Sequence, residues 1–154
     1  MYKKNIFVKI ATLGPIGYLP IPGTVATIVS LFLVYGFSLI PISDNVYAII
    51  TLFTLFLSLK IIGRALEYFR KKDPSEIVLD EVVGCLITFC CIPISVTTLA
   101  IGFCLFRFFD VLKPLGIRHS QHLYGSLGVV VDDVLAGICA NIALQFVVRF
   151  LLEC

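Results

Sequence analysis

Charge is what this chain has least of. Only 14% of its 154 residues are Asp, Glu, Lys or Arg, against about 25% in soluble domains, while 59% are hydrophobic and the mean hydropathy is +1.04. Such a composition belongs to an integral membrane protein. The net charge of +2 and the lack of any Lys/Arg block interleaved with aromatics argue against a nucleic-acid groove, so no nucleic-acid partner is expected. No polar, Pro/Ser-rich or low-complexity stretch is long enough to link domains, and residues 1–154 read as a single domain.

Two further absences narrow the chemistry. The six cysteines, Cys85, Cys90, Cys91, Cys104, Cys139 and Cys154, contain no C-x-x-C pair, and five lie inside apolar runs. They read as small hydrophobes rather than as redox or zinc ligands. The two histidines, His119 and His122, are spaced i, i+3 without a cysteine nearby, so no zinc site is expected and neither is given a role. The N-terminus, "MYKKNIFVKIATLGPIGYLPIPG", begins basic, but Gly14, Pro15, Gly17, Pro20, Pro22 and Gly23 break its apolar part. It does not read as a cleavable signal.

What is present is a series of long apolar runs. No charge occurs from Ile10 to Ser43, and Gly23 to Ile40 is a first spanning helix, with Pro22 tolerated at its start and Pro41 after its end. Residues 45–63 form a second, with Lys60 able to extend toward the interface. The last begins with "VLAGICANIALQFVV" (134–148) and runs to about Leu152. Val82 to Phe106 is also uncharged. Read as one helix from Asp80 to Asp110 it would be about 46 Å long, beyond the roughly 30 Å of a hydrocarbon core. Pro93, in "IPIS" (92–95), favours two short helices that turn there. The expected fold is therefore all-α: an integral membrane helical bundle of about four to five membrane-embedded helices, including a short helical hairpin broken near Pro93.

Charge placement agrees with the hairpin. It gathers Lys3, Lys4, Lys9, Arg64, Arg70, Lys71, Lys72, Arg107, Lys113 and Arg118 on one side and leaves the turns at 41–45 and 92–97 without Lys or Arg. The positive-inside rule makes that side cytoplasmic. Asp80, Glu81, Asp110, Asp132 and Asp133 then share the same face.

One Asp or Glu at a helix start has a bland explanation in capping and the helix dipole, worth about 0.3 to 1 kcal/mol. Paired acids at two separate sites add repulsion that capping does not need, and something cationic should balance them. Arg107 and Asp110, three apart, can pair on one helical face; Lys113 and Arg118 are also at hand. A group of five carboxylates is also the donor set that hard cations prefer, Mg2+ in particular, which leaves positions for water and phosphate oxygen. Gly84 and Gly137 each follow an acid, Asp80 and Asp133, by four residues, and suit close helix packing, functional or not.

"LPIPGTVAT" (19–27), "IVLDEVVG" (77–84), "FRFFDVLKPLGIR" (106–118) and "GSLGVVVDDVLAG" (125–137), in this order, resemble the phosphatidylglycerophosphatase A family. The resemblance implies an all-helical, Mg2+-dependent phosphatase of the bacterial inner membrane, with its active site facing the cytoplasm, that converts phosphatidylglycerophosphate to phosphatidylglycerol and phosphate. The family's acidic motifs fall on Asp80 and Glu81, on Asp110, and on Asp132 and Asp133, as catalytic and metal-binding residues. Its basic positions fall on Arg107, Lys113 and Arg118 and its P-G-T turn on Pro22, Gly23 and Thr24; of these Arg107, Lys113, Arg118 and Thr24 would bind substrate. Its partners would be a phosphorylated phospholipid and the surrounding lipid. In-line attack by water and a covalent aspartyl-phosphate both suit this residue set. A different class, a small transporter or ion-pathway subunit with acids lining a cavity, shares the composition but would place its acids at mid-membrane.

Overall fold

The structure, a computed structural model, describes residues 5–113 and 124–152. Among them all regular structure is helical: α1 (Ile6–Ala11), a short 3-10 turn (Ile16–Tyr18), α2 (Pro22–Ser38), α3 (Asp44–Leu66), α4 (Leu79–Thr88), α5 (Val96–Leu112) and α6 (Ser126–Val147), which continues through a π turn (Val148–Leu152). Two helices are long and apolar enough to cross a membrane, Asp44–Leu66 and Ser126–Phe150, and α2 is a shorter apolar helix. The surface fits lipid rather than water: Phe32 is 73% exposed, Phe53 67%, Ile142 64% and Phe146 61%. Apolar side chains cost nothing on a face that meets acyl chains, whereas in water so many together would mark a binding patch.

Helix ends follow local chemistry. Ser43 caps α3 by accepting a hydrogen bond from the Val46 amide at 3.4 Å. Ser95 and Thr98 form a capping box at the start of α5: the Thr98 amide donates to Ser95 Oγ at 3.1 Å and the Ser95 amide to Thr98 Oγ1 at 2.8 Å. The region between Asp80 and Asp110 is thus two helices, as the hairpin reading expects. Its break begins earlier than "IPIS", at Phe89, and passes through Cys91 in a left-handed conformation (φ 58°).

The short α4 is the most enclosed element. Leu79, Asp80, Val82, Val83, Gly84, Cys85, Leu86 and Thr88 are all buried, and it packs mainly against α6 and also against α2, α3 and α5. Ten residues are too few to cross a bilayer, and a helix that ends inside an apolar bundle exposes carbonyls that lipid cannot satisfy. Two polar side chains from neighbouring helices solve this. Tyr47 of α3 donates its hydroxyl to the Leu86 carbonyl at 3.0 Å. Asn141 of α6 donates its amide to the carbonyls of Thr88 and Cys90 at 2.9 and 2.8 Å.

Two sequence boundaries are corrected. α6 begins at Ser126, eight residues before Val134, so Asp132 and Asp133 stand inside the helix and not at its rim. Gly128 and the β-branched run Val129–Val131 have low helix propensity, but Gly128, Val129 and Val130 are buried, and packing outweighs a few tenths of a kcal/mol per residue. The N-terminal stretch also carries a helix, α1, which packs on α3 and whose Ala11 carbonyl accepts from the Val78 amide at 2.9 Å.

Candidate active site

Three helices bring carboxylates to one end of the bundle. Asp80 and Glu81 occupy the first turn of α4, where the free N–H groups and positive dipole end favour anions. Asp133 projects from the second turn of α6. Side-chain oxygens of Asp80, Glu81 and Asp133 lie within 4.8 Å of one another. Asp80 is 7% exposed and Asp133 4%. Asp110, in the last turn of α5, neighbours both Glu81 and Asp133.

Two cations brace this group. Arg107 Nη1 donates to Asp110 Oδ2 at 2.6 Å, the i, i+3 pair that the spacing predicts. Asp110 needs it, because a carboxylate at a helix C-terminus faces the negative end of the dipole. Lys113, the left-handed C-cap of α5 (φ 45°), donates to Asp132 Oδ2. Burial would lower the Lys113 pKa, but the hydrogen bond and charge of Asp132, with Asp133 and Asp110 nearby, raise it above the ordinary lysine value. Helix capping therefore does not explain Asp132, which is in a helix interior and ion-paired.

The start of α2 closes the site from another side. A methyl group at Gly23 would stand 3.3 Å from Arg107 Nη1 and would collide with the Glu81 carboxylate, so only glycine lets both side chains approach this backbone. Thr24 is half-buried in the same first turn. Ile21, a β-branched residue in left-handed backbone (φ 56°, ψ 56°), caps the helix; the strain of such a residue is of order 1 to 3 kcal/mol and is found where the surroundings fix the chain. Arg118, His119 and His122 lie outside the described residues.

The residues fit a bound cation. Asp80 Oδ1 and Glu81 Oε2 are buried with no hydrogen-bond partner, although a buried carboxylate oxygen left unmatched is costly. All donors in the group are oxygens, the set for a hard divalent ion.

One nearby acid escaped the sequence reading. Asp73 follows the cation run Arg70, Lys71 and Lys72 in the loop between α3 and α4. Its side chain is exposed at the surface, yet desolvation by the surrounding protein and the charge of Asp132 raise its pKa; Lys113 pulls the other way, and Asp110 adds to the rise. Only the fold could reveal this, since the loop between α3 and α4 is what lays Asp73 beside α6.

Comparison with known proteins agrees with the resemblance in the sequence. The family model of phosphatidylglycerophosphatase A matches residues 9–148. A phosphatidylglycerophosphatase A of Haemophilus influenzae is 34% identical over 155 residues, covering 92% of this chain and 94% of that protein. One from Escherichia coli is 26% identical over 129 residues, 82% of this chain and 74% of that protein. A Bacteroides thetaiotaomicron protein named putative phosphatidylinositol-3-phosphatase is 35% identical over 122 residues, 76% of this chain and 77% of that protein. No solved structure matches the chain.

Proposed function

The chain belongs to the phosphatidylglycerophosphatase A family and is a phosphatase, and on that premise we propose that it hydrolyses phosphatidylglycerophosphate to phosphatidylglycerol and phosphate at the Asp80, Glu81 and Asp133 cluster. The observation that carries the reading is the convergence of three carboxylates, two with unmatched buried oxygens, beside Arg107 and the open end of α2. That arrangement supports a pairing of cation ligands with phosphate donors.

We assign the metal as Mg2+, held by Asp80, Glu81 and Asp133 with Asp110 and Asp132 as the adjoining acids. Such an ion, when bound, offsets phosphate charge and lowers the pKa of a water molecule. Arg107 spends one nitrogen on Asp110 and keeps further N–H donors for the equatorial phosphate oxygens. Lys113, anchored by Asp132, carries three donors of which the ion pair uses one. Thr24 adds a phosphate contact from a helix start whose amides suit an anion, and Arg118, outside the described residues, is assigned to substrate binding from the family motif alone. Asp132, the adjoining carboxylate outside the metal trio, accepts the proton of the attacking water.

The site lies at one end of the bundle together with Arg107, Lys113 and the loop bearing Arg70, Lys71 and Lys72. We place that end at the cytoplasmic face of the bacterial inner membrane, where a lipid headgroup reaches the carboxylates while its acyl chains stay in the bilayer. An ion pathway would place its acids at mid-membrane, and these are gathered at one end of the bundle. The Bacteroides relative's name favours a second reading, a phosphoinositide monoester, which also carries a phosphomonoester on a polyol headgroup, inositol in place of glycerol.

Phosphate release by the purified protein in detergent, with Mg2+ or with EDTA, tests the reading. Turnover of phosphatidylglycerophosphate that requires Mg2+ is expected. Faster turnover of phosphatidylinositol 3-phosphate would select the second reading, and no phosphate release from either lipid would overturn both.

A further inference from the structure

Beside the carboxylate site is a cavity of about 500 Å³ whose walls include Arg70, Lys71, Lys72, Asp73, Tyr124 and Gly128. The three consecutive cations come from the loop that follows α3. Among the described residues, no carboxylate lies within ion-pair distance of any of them. Lys72 is instead held over the Tyr124 ring, with its nitrogen 5.6 Å from the ring centroid, a contact that orients the ammonium without neutralising it. A concave surface lined by three cations and a single carboxylate, Asp73, favours an anion.

Its position relates that anion to the substrate. Gly128 is four residues before Asp132 on α6, just over one helical turn or about 6 Å along the axis. Asp73, on the same wall, feels the charges of Asp132, Lys113 and Asp110. The cavity and the carboxylate site are therefore neighbours that share a boundary, and a ligand carrying two phosphates on a three-carbon link could place one in each.

We propose that this cavity binds the phosphodiester of the lipid headgroup while the terminal phosphomonoester occupies the carboxylate site, so that Arg70, Lys71 and Lys72 select monoesters carried on a second phosphate. The inference rests on the functional reading above and adds to it a basis for choosing among lipid phosphates. Phosphatidate, whose single phosphate is the one to be cleaved, leaves the cavity without its anion. Asp73 limits the selection from the opposite sign: it disfavours a second dianionic group and tolerates the single charge of a diester.

The test uses full-length protein in neutral detergent micelles at saturating Mg2+, with Arg70→Gln, Lys71→Gln and Lys72→Gln made singly and together. These side chains are exposed, and chromatographic and circular dichroism profiles check that the variants fold. Initial rates are measured on phosphatidylglycerophosphate and on phosphatidate, and inhibition by inorganic phosphate is measured on each variant. The triple variant should lower the ratio of kcat/KM for the two lipids by about tenfold or more, chiefly through KM, as expected for lost charge-assisted hydrogen bonds, with phosphate inhibition unchanged. An equal loss on both lipids would reveal a general anionic-surface contact and overturn the inference, as would a lipid ratio unchanged from wild type. Weaker inhibition by inorganic phosphate would assign the cavity to the leaving phosphate, which also overturns it. A wild-type protein that releases no phosphate from phosphatidylglycerophosphate fails at the earlier step, and the functional reading then falls together with this inference.

Discussion

Gly84 and Gly137 meet backbone to backbone at the crossing of α4 and α6. A methyl group on Gly137 would come within 2.5 Å of the Gly84 carbonyl oxygen, and one on Gly84 within 2.8 Å of the Asp133 carbonyl oxygen. Each glycine lies one helical turn beyond an acid of the cluster, Asp80 on α4 and Asp133 on α6. The closest approach of the two helices therefore sets the separation of the carboxylates. Small residues permit this contact in a membrane bundle, where packing rather than water exclusion holds helices together.

Gly137→Ala should push α4 and α6 apart, because the obstruction is backbone and cannot rotate away. A stability loss of about 1 to 3 kcal/mol is expected from overpacking, together with a higher Mg2+ concentration for half-maximal activity. Gly36→Ala is the control, since a methyl group there meets nothing within 4 Å. Denaturation in detergent and Mg2+ titration of phosphate release measure the two effects. A normal metal response in a folded Gly137→Ala variant would separate the crossing from the site.

The parts of the molecule that depend on local pattern were legible in the sequence. The uncharged runs gave α2 and α3 nearly to their ends, and the i, i+3 spacing gave the Arg107–Asp110 pair. The four-residue offset of each glycine from an acid was visible too, but generic helix packing explains that offset equally well until the two backbones are seen in contact. What required the fold was long-range. The start of α6 was hidden because Gly128 and three valines disfavour a helix until they are buried. Asn141 stands in the apolar run of α6, and its role follows only from the carbonyls of Thr88, where α4 ends 53 residues earlier in the chain, and of Cys90 just beyond it. Asp73 was masked by its basic neighbours.

The metal reading separates the acids into two groups. Asp80→Asn, Glu81→Gln and Asp133→Asn each remove a charge from the close trio and should raise the Mg2+ requirement and cut turnover by about a hundredfold or more, as for removal of a group that acts on developing charge. Asp132→Asn leaves the trio intact but releases Lys113, so its rate should fall at saturating metal with less change in the requirement itself. Full Mg2+ titrations on folded variants check this. If the trio variants all retained at least about half of the wild-type rate, as a capping role costing about 0.5 to 2 kcal/mol of stability would allow, the cluster would not be the metal site.

Asn141→Leu tests how α4 ends inside the bundle. The substitution removes both donors to the Thr88 and Cys90 carbonyls and leaves them facing apolar side chains. At about 1 to 3 kcal/mol for each buried carbonyl left unmatched, the expected loss is about 2 to 6 kcal/mol. Asn141→Asp preserves shape but replaces the donor with an acceptor and should be at least as harmful. Tyr47→Phe removes a single donor, to Leu86, and should cost less than either. Unfolding midpoints in one detergent rank the three; equal stability of Asn141→Leu and wild type would mean that the carbonyls find other partners.

Arg107→Lys asks whether the guanidinium is needed for more than its charge. In the resting site one nitrogen is committed to Asp110, and the missing side chain of Gly23 leaves space beside it, since a methyl group there would stand 3.3 Å from Arg107 Nη1. A lysine can keep the ion pair, but its compact ammonium cannot reproduce the fork that holds a carboxylate and a phosphate together. Folding and the Mg2+ requirement should therefore stay near wild type while kcat falls about tenfold to a hundredfold, the signature of an interaction made chiefly in the transition state. Arg107→Gln should be worse in both respects, because Asp110 then loses its counter-charge at a helix C-terminus. Steady-state kinetics at saturating Mg2+, with unfolding measured in parallel, distinguish the cases. A lysine variant with wild-type kcat would reduce Arg107 to an electrostatic partner of Asp110 and leave Lys113 as the principal phosphate contact.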